Sequence, residues 1–341
     1  MLDTTVSPDE LTSIVARIFE GFGTSESEAD LVSRTLVEAN LCGHPSHGVI
    51  RVLKWAEGLK TGAINPRPAP RIVKQSEGSA LVDGDCGLGP VVADMAVNLV
   101  AGKARNCGIA MVSIFRASHI AMLQYYTRNL VRDGLVGIVM TNTESGMAPF
   151  GGIDKILGTN PVSIGVPGRA APLILDMSSS QVARGKIVIA KSCGERIPDG
   201  WAIDSEGRPT NDPDAALEGA LLPIGGAKGS GLAIMVDLLS SALAGGAVGK
   251  KVRGTFRMDQ EGTKGDLFIA INPEAVAGLD YFLDRVEDLK ADIQSSRVAP
   301  GFKRILFPGQ FEAECRDRYL SKGIPIEADL LNQLKTWDVR C

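Results

Sequence analysis

The feature that most constrains the fold is an alternation, from residue 79 onward, between short aliphatic runs and longer stretches with apolar residues at helical spacing. The short runs predict strands at 79–84, 108–115, 135–141, 161–167, 172–177 and 267–271. The longer stretches predict helices at 91–106, 119–133, 229–244 and 274–294. Strands and helices that alternate in this way are typical of an α/β or α+β domain.

The glycine fingerprints of the common nucleotide-binding folds are missing from the sequence. Neither G-x-G-x-x-G nor G-x-x-x-x-G-K-[ST] occurs. The two glycine-rich stretches, "GDCGLG" (84–89) and "GGAKGSG" (225–231), have a different glycine order. The residue pattern alone therefore leaves any cofactor open.

The two ends of the chain are predicted to form one helical domain. Ser7-Pro8-Asp9-Glu10 is typical of a helix N-terminus, and apolar residues follow it at helical spacing. The stretch 311–341 also has a helical pattern and is predicted to fold back onto these first helices, while Pro66, Pro68 and Pro70 mark a linker. We therefore predict a helical domain of residues 1–70 with about 305–341, and a mixed α/β domain of residues 71–304 with an inserted subdomain near 120–170.

Charge and composition exclude several classes of partner. The formal charge of −4 comes with no basic run, which excludes a nucleic-acid-binding surface. The start of the chain, "MLDTTVSPDE", resembles neither a signal peptide nor a transit peptide. The apolar stretch 231–249 contains Asp237, and we interpret it as a buried amphipathic helix instead of a membrane span. Six cysteines without a C-x-x-C spacing favour a cytoplasmic protein with reduced thiols.

Chemistry is concentrated in one short stretch, "HPSHGVIR" (44–51), which holds two of the three histidines in the chain. If the stretch starts a helix, His47 and Arg51 share a face one turn apart. An imidazole exchanges protons near neutral pH, and a guanidinium grips a carboxylate with two hydrogen bonds. Such a pair suits a 2-oxo or 2-hydroxy acid, and Ser46 is placed to orient the ring or the substrate.

Other interpretations of the same histidines stay open at this point. His44, His47 and His119 could serve together as ligands of a zinc hydrolase, although no carboxylate or cysteine stands at ligand spacing beside them. For His44 alone, a turn-capping role is the better interpretation. A structural role for His47 has about the same weight as a catalytic one on pattern alone, and a scaffold protein without catalysis is a third reading.

Eleven blocks in a fixed order resemble the malate/L-lactate dehydrogenase family of the second type, a group unrelated to the Rossmann lactate dehydrogenases. The resemblance runs over nearly the whole chain. Its blocks include "GHPSHGVIR" (43–51), "GAINP" (62–66), "LVDGDCGLG" (81–89), "SHIA" (118–121), "MTNTESGMAPFGG" (140–152), "LGTNPVSIGVP" (157–167), "LILDMSSSQVARGKI" (173–187), "IPDGWAID" (197–204), "PTNDPDAAL" (209–217), "LLPIGGAKGSGLAIMVDLLS" (221–240) and "FPGQ" (307–310).

The resemblance implies a fold and a reaction. Members of the family are homodimers with an α+β fold, in which a helical domain from the chain termini joins a mostly antiparallel-sheet, non-Rossmann domain that binds NAD or NADP. The reaction is hydride transfer between nicotinamide and C2 of a small 2-oxo or 2-hydroxy acid, without a metal. By resemblance His47 is the acid/base, although some relatives assign this role to the residue that matches His119. Arg51 would hold the carboxylate and Ser46 would orient His47. Some relatives instead reduce cyclic imino acids such as piperideine- or pyrroline-2-carboxylate.

The resemblance also implies cofactor contacts, at positions 119–120, 143, 176–178, 228–229 and 309–310. The residues are His119, Ile120, Thr143, Asp176, Met177, Ser178, Lys228, Gly229, Gly309 and Gln310. Independently of the resemblance, Asp176 lies at the end of a predicted strand and could cap a helix over 180–191, and Lys228 precedes a helix predicted to begin at 229, where a phosphate would fit. The chain departs from the family pattern at Asn40, Cys42, Ala227 and Ser230, and in the "SHIA" block, which leaves the substrate and the choice between NAD and NADP open.

Overall fold

The computed structural model describes residues 3–255 and 260–340. In chain order its strands are β1 (Asp3–Val6), β2 (Arg71–Gln75), β3 (Ser79–Gly87), β4 (Ile109–Ala117), β5 (Val136–Thr141), β6 (Val162–Val166), β7 (Leu173–Met177), β8 (Ala202–Ile203), β9 (Pro209–Thr210), β10 (Ala220–Leu221), β11 (Gly265–Ile271) and β12 (Ile324–Glu327). Its α-helices are α1 (Pro8–Gly21), α2 (Glu26–Leu41), α3 (Arg51–Thr61), α4 (Gly89–Cys107), α5 (Gln124–Arg132), α6 (Arg184–Cys193), α7 (Pro213–Glu218), α8 (Ala227–Asp237), α9 (Leu279–Ser295), α10 (Gln310–Lys322) and α11 (Ala328–Arg340). A π-helical segment, Leu238–Ala242, continues α8.

A seven-stranded sheet forms the centre of the molecule, with the strand order β2-β3-β4-β11-β5-β6-β7. Only β3 and β4 run parallel, and every other neighbouring pair is antiparallel. Phe268 on β11 lies opposite Val112 on one side and Val139 on the other, and all three side chains are fully buried. The predicted α+β fold with a mostly antiparallel, non-Rossmann sheet is confirmed.

The first helices pack with the end of the chain, as predicted. Ser7 Oγ accepts a hydrogen bond from the backbone N–H of Glu10 at 3.1 Å and caps α1. The buried stripe of α1 joins Trp55 of α3 and the strand β12 in one hydrophobic core. In addition β1 pairs antiparallel with β12, a contact that the sequence pattern did not predict. The exact bounds of the two domains and of the inserted subdomain stay a prediction.

The helix α8 corrects one interpretation of the sequence. Its inward side carries Ser230 and Asp237, both about 5% exposed, whereas large apolar side chains point outward. The inward residues are small or polar because the backbone comes close to the sheet: a Cβ on Gly265 would lie 2.3 Å from the carbonyl oxygen of Ser240. The prediction of a buried amphipathic helix is therefore wrong, since the apolar face is the exposed one.

Two further differences have a local cause. The helix predicted at 119–133 begins only at Gln124, because Ala121 has a φ of +61° and interrupts the helical backbone before it. The strand β2 was not predicted because all five of its residues are exposed, as on an edge strand without an apolar face. No helix within the described ranges is long and apolar enough to cross a membrane.

Candidate active site

The histidine stretch is held by the end of α2. After this helix ends at Leu41, Pro45–His47 form a single 3-10 turn and α3 begins at Arg51. The side-chain oxygen of Asn40 accepts the backbone N–H of Val49 at 2.8 Å. A Cβ on Gly48 would lie 1.9 Å from that same oxygen, so only glycine fits between the turn and α2. The stretch is therefore not one helix, as the spacing suggested, but a turn anchored to Asn40 and followed by a helix.

Three of the predicted catalytic residues lie together in this turn. The Oγ of Ser46 is 3.1 Å from Nδ1 of His47. The Nε of Arg51 donates to the backbone carbonyl of Ser46 at 2.7 Å. Arg51 forms no ion pair with any of the residues that the structure describes. Burial lowers the pKa of Arg51 to about 10, which leaves its guanidinium charged and without a counterion at neutral pH.

The third histidine of the chain, His119, approaches the turn from the segment between β4 and α5. The rings of His47 and His119 are stacked, with centroids 5.7 Å apart and 27° between their planes. Nδ1 of His119 accepts the backbone N–H of Ala121 at 3.0 Å. The segment before α5 is fixed at its other side by Gly89, where a Cβ would lie 2.2 Å from the carbonyl oxygen of His119. Trp55 lies beside His119, with ring centroids 6.3 Å apart.

Both imidazoles are neutral in this arrangement. Burial, and then the charges of Arg51 and His44, lower the pKa of His47 to about 3. Burial lowers the pKa of His119 well below its ordinary value, and Arg51, His47 and Lys264 act in the same direction. A site with one uncompensated cation and two neutral imidazoles favours an anion over a cation as its ligand.

His44 belongs to a different cluster. Its Nε2 lies 3.1 Å from a carboxylate oxygen of Glu312, the third residue of α10. Asp176 at the end of β7 lies near both, and its carboxylate accepts the backbone N–H of Gln124 at 2.7 Å. Asp176 therefore caps α5. The predicted helix over 180–191 begins only at Arg184, and Asp176 is not its cap. Desolvation raises the pKa of Asp176 to about 6.

The three histidines do not converge on one point, because His44 is bound to Glu312 while the other two rings stack on each other. Across residues 3–255 and 260–340, no group of three or more histidine, cysteine, aspartate or glutamate side chains is placed to hold a metal ion.

The late glycine loop lies against the same strand, β7, near its start at Ile174. The carbonyl oxygen of Pro308 accepts the N–H of Ile174 at 3.1 Å. Gly309 has a φ of +84° and precedes α10, and the side-chain oxygen of Gln310 accepts the N–H of Phe307 at 3.1 Å. The predicted residues 176–178 and 309–310 are thus neighbours on one edge of the sheet.

Hydrogen bonds link the remaining predicted cofactor positions to that edge. The Oγ1 of Thr143 accepts the N–H of Thr159 at 3.0 Å, and the carbonyl oxygen of Thr159 accepts the N–H of Ser179 at 2.8 Å. The carbonyl oxygen of Ser179 in turn accepts the N–H of Ile224 at 2.9 Å, shortly before α8. Ser178 and Met177 therefore lie between the Thr143 region and the start of α8.

The start of α8 differs from its prediction in one respect. The helix begins at Ala227, so Lys228 lies in its first turn and not before it. Lys228 is exposed. The N–H of Gly229 donates to the carbonyl oxygen of Ile224 at 2.9 Å, and a Cβ on Gly229 would lie 2.2 Å from that oxygen. Gly229 therefore permits a close backbone approach, while its N–H is already occupied.

Several residues that position the site were not predicted. Asn40 was noted only as a departure from a family pattern. Gln124 comes four residues after Ile120, a predicted contact that is fully buried. The side-chain oxygen of Gln124 is buried without a hydrogen-bond partner among the described residues. Lys264 and Asp266 form a fully buried ion pair at 2.5 Å, and the charge of Lys264 contributes to lowering the pKa of His119. Only a three-dimensional contact, and no sequence spacing, identifies these residues.

Comparison with known proteins gives the family. The family model described as malate/L-lactate dehydrogenase matches residues 6–335. The chain is 43% identical to the L-sulfolactate dehydrogenase of Methanocaldococcus jannaschii over 331 residues, which cover 97% of this chain and 95% of that protein. It is 37% identical to the malate/(S)-sulfolactate dehydrogenase of Methanothermus fervidus over 330 residues, 97% of this chain and 96% of the relative.

The fold agrees with the same family. The structure of the sulfolactate dehydrogenase from Methanocaldococcus jannaschii superimposes with a TM-score of 0.95 at 41% sequence identity, covering 99% of this chain and 97% of the other. Family model, sequence relatives and structural neighbour each extend over nearly the full chain, including the segments that hold His47 and His119. The chain therefore belongs to the malate/L-lactate dehydrogenase family and is an oxidoreductase.

Proposed function

We propose that this oxidoreductase uses NAD or NADP to interconvert a small 2-hydroxy acid and the corresponding 2-oxo acid. The single observation that carries the proposal is the stacked pair His47 and His119 beside the unpaired cation of Arg51. Relatives carry names with either cofactor: the ureidoglycolate dehydrogenase (NAD(+)) of Escherichia coli and the (2R)-3-sulfolactate dehydrogenase (NADP(+)) of Chromohalobacter salexigens. Both cofactors therefore remain in the proposal.

The residues along the sheet edge fit a dinucleotide. The side-chain oxygen of Gln124 is a buried acceptor without a partner within the described ranges, and the neighbouring carboxylate of Asp176 is a second acceptor. Ribose hydroxyls and a carboxamide NH2 are donors that match such acceptors. Lys228 in the first turn of α8 adds a positive charge where a phosphate is favoured. Asp176, Gln124 and Lys228 would hold the dinucleotide, whose nicotinamide exchanges a hydride with C2 of the substrate.

Arg51 would hold the substrate carboxylate. Its Nε is occupied by the carbonyl oxygen of Ser46, so the two terminal nitrogens remain for the ligand. These two nitrogens form a planar fork that matches two carboxylate oxygens. A carboxylate would also neutralise the buried charge of the guanidinium, which favours anionic substrates over neutral ones.

His47 would act as the acid/base. When its Nδ1–H donates to Ser46 Oγ at 3.1 Å, Nε2 keeps a free lone pair. In the oxidation direction Nε2 takes the hydroxyl proton of the 2-hydroxy acid while the hydrogen on C2 leaves as hydride. The products are the 2-oxo acid, reduced nicotinamide and a protonated His47. In the reduction direction the same proton returns to the oxygen on C2.

His119 would serve as a hydrogen-bond donor. Because its Nδ1 accepts the N–H of Ala121, the neutral ring carries its proton on Nε2. That N–H can stabilise the negative charge that develops on the substrate oxygen, but it cannot take a second proton without breaking the bond to Ala121. His47 would thus transfer the proton, and His119 would stabilise the negative charge on the substrate oxygen.

A cyclic imino acid is the second candidate substrate. A solved Δ1-piperideine-2-carboxylate reductase from Pseudomonas syringae superimposes with a TM-score of 0.88 at 31% identity, covering 98% of this chain and 99% of the other. The carboxylate clamp at Arg51 would be unchanged, and the proton from His47 would go to nitrogen instead of oxygen.

An assay panel tests the proposal. Oxidation of NADH and of NADPH is followed with pyruvate, oxaloacetate, sulfopyruvate, piperideine-2-carboxylate and pyrroline-2-carboxylate. We expect turnover with at least one 2-oxo acid and one dinucleotide. Turnover with the imines alone would favour the second candidate, and stoichiometric zinc with hydrolase activity would refute both.

We further propose a cytoplasmic homodimer in which the outer face of α8 and its π-helical continuation contacts a second copy. Ile234, Met235, Leu238, Leu239 and Leu243 are 38–52% exposed on this face, without a charged residue among them. Exposed Phe150, Ile153, Ile156 and Val248 add further apolar side chains on loops, and stable dimers bury roughly 800 Å² per partner. An apolar helix face can pack on its own copy about a two-fold axis.

A further inference from the structure

A cavity of about 200 Å³ lies between α2 and α5, near the end of α2 that leads into the histidine turn. Residues of α1, α2, α5 and α10 line it, and four of them are arginines: Arg34, Arg128, Arg132 and Arg316. The only acidic lining residue is Glu38. The cavity therefore concentrates positive charge on a protein whose net charge is −4.

Internal ion pairs compensate part of this charge. Glu38 is shared by Arg128 and by Arg316, whose Nε lies 2.9 Å from the carboxylate. Arg34 pairs with Asp30 on the outer surface of α2. Arg132 is exposed and forms no ion pair with the described part of the chain. Four guanidinium groups are therefore matched by two carboxylates, Glu38 in the cavity wall and Asp30 outside it.

Cys42 does not add a negative charge. Its Sγ lies 3.4 Å from a terminal nitrogen of Arg128, close enough for a thiolate to pair with it. Burial, however, raises the pKa of Cys42 to about 11, so the thiol stays protonated at neutral pH. The charge excess is therefore present across the physiological pH range.

The positions of the arginines point to a ligand. Arg128 and Arg132 stand four residues apart on α5, where like charges repel each other, and Glu38, the carboxylate that Arg128 contacts, is shared with Arg316. Guanidinium groups present planar pairs of donors that match the oxygens of phosphate and carboxylate groups. The hydroxyl of Tyr125 and the amide of Asn129 add neutral donors to the same wall.

We propose that this cavity binds a small multivalent oxyanion of the kind that a phosphate group presents. It is separate from the dinucleotide site, since its walls share no residue with the edge formed by β7, the loop before α10 and the start of α8. The proposal does not depend on which substrate the enzyme uses.

The helices that carry the cavity also carry the active-site residues. The helix α2 ends just before the histidine turn, and Asn40 on it holds Val49. The helix α5 begins at Gln124, which is bonded to Asp176. The helix α10 contributes Glu312, which contacts His44 at 3.1 Å. An anion that bridges arginines of α2, α5 and α10 would hold the supports of the active site in one arrangement.

Inorganic phosphate is the probe for the first experiment. The full chain is titrated with phosphate at constant ionic strength, adjusted with chloride, and both Tm and binding heat are measured. We expect saturable binding and, at about ten times the Kd, a rise in Tm of roughly 2–4 °C. A Tm that does not respond to phosphate, or a response equal to that of chloride, would overturn the proposal.

Variants separate the cavity from the dinucleotide site. Arg132→Gln is the main variant because no carboxylate loses its partner, so the fold is retained; Arg34→Gln is added to it in a double variant. We expect phosphate to bind roughly tenfold more weakly to Arg132→Gln and more weakly still to the double variant. Lys228→Gln and Arg105→Gln, changes outside the cavity, should bind phosphate as the unchanged protein does.

Other outcomes contradict the proposal. If Lys228→Gln alone abolished the phosphate response, the anion would belong to the dinucleotide site. If Arg132→Gln changed the molar mass in solution while phosphate binding stayed the same, the cavity would be covered by another copy of the chain. In a crystal grown with phosphate, density for the ion between Arg128, Arg132 and Arg316 would support the assignment, and an ion bound elsewhere only would refute it.

Discussion

The imidazole rings of His47 and His119 lie stacked 5.7 Å apart, although one comes from the helical layer and the other from the sheet. Both rings are neutral, and Arg51 lowers the pKa of each. Two imidazolium ions at this distance from each other and from a guanidinium would repel strongly in a buried site. At most one of the two rings can therefore take up an additional proton at any moment, and the proposed oxidation of a 2-hydroxy acid releases one.

Removal of the His47 side chain should abolish most of the turnover. In His47→Ala we expect kcat to fall by about 10²–10⁴, because no other group accepts the substrate proton, while the Kd for the dinucleotide stays within about twofold. Steady-state kinetics and a dinucleotide titration measure the two quantities. His119→Ala is the matched variant, and a larger loss of kcat there than in His47→Ala would transfer the acid/base role to His119.

The folded protein should become less stable as the pH falls, in part because of His47. Its folded pKa is about 3, below the ordinary 6.5 of the unfolded chain. Between these values only the unfolded state takes up the proton, so stability is retained above pH 6.5 and is lost as the pH decreases toward 3. In His47→Gln the decrease of Tm between pH 6.5 and 4 should be smaller than in the unchanged protein.

Asp176 changes the stability with pH in the opposite direction to His47, so its contribution must be separated from that of His47. Its folded pKa is raised to about 6 from an ordinary value of 3.8, so it destabilises the fold as the pH rises through this interval. The comparison of His47→Gln with the unchanged protein cancels this contribution, since both contain Asp176. Identical Tm profiles in the two proteins would show that His47 is protonated in the folded state.

Arg51→Lys should raise KM for the carboxylate substrate without affecting the dinucleotide. One ammonium group cannot hold the carbonyl oxygen of Ser46 and both oxygens of a carboxylate. We expect KM to increase roughly tenfold to a hundredfold, with an unchanged Kd for the dinucleotide. Lys54→Arg on the exposed side of α3 is the control for a change of cation. An unaltered KM in Arg51→Lys would place the carboxylate elsewhere.

Loss of Asn40 should loosen the histidine turn. Asn40→Ala leaves the buried N–H of Val49 without an acceptor, and we expect a loss of about 1–3 kcal/mol in the free energy of unfolding. Asn40→Asp keeps an acceptor at the same position and should lose less. Denaturant unfolding measures both variants. Equal losses in Asn40→Ala and Asn40→Asp would argue against the role of this hydrogen bond.

The outer face of α8 predicts the oligomeric state. Leu238→Glu would bring a charge into the proposed contact with the second copy, and we expect a monomer in light scattering at micromolar concentration. Leu289→Glu on α9 introduces the same charge on a side chain of similar exposure elsewhere and should leave the dimer intact. A dimer in Leu238→Glu would exclude this face as the contact.

The sequence predicted those parts of the fold that depend on local pattern. The buried strands around Phe268 coincide with aliphatic runs, and α1 begins directly after its cap at Ser7. Burial and capping both restrict the residue types at neighbouring positions, so the sequence pattern reveals these elements. The strand β2 has no buried side chain, so burial does not impose a strand pattern on its residues. Likewise α5 begins late because Ala121 takes a backbone conformation that composition does not reveal.

The candidate site was predicted in residues but not in geometry. His47 and His119 are far apart in the chain, and their stacking depends on how the helical layer meets the sheet. The resemblance to a family named both residues, whereas their proposed division into a base and a donor rests on the bonds to Ser46 and Ala121. Asp176 was expected to cap the helix after it and instead caps α5, which precedes it in sequence.

The pairing of β1 with β12 has a consequence for how the chain is made. The strand Asp3–Val6 is translated before the central sheet, and its partner Ile324–Glu327 only after it. While the sheet is being made, Ile324 and Ile326 are missing from the core that α1 shares with them. The core around β1 and α1 therefore begins before the sheet and is completed after it.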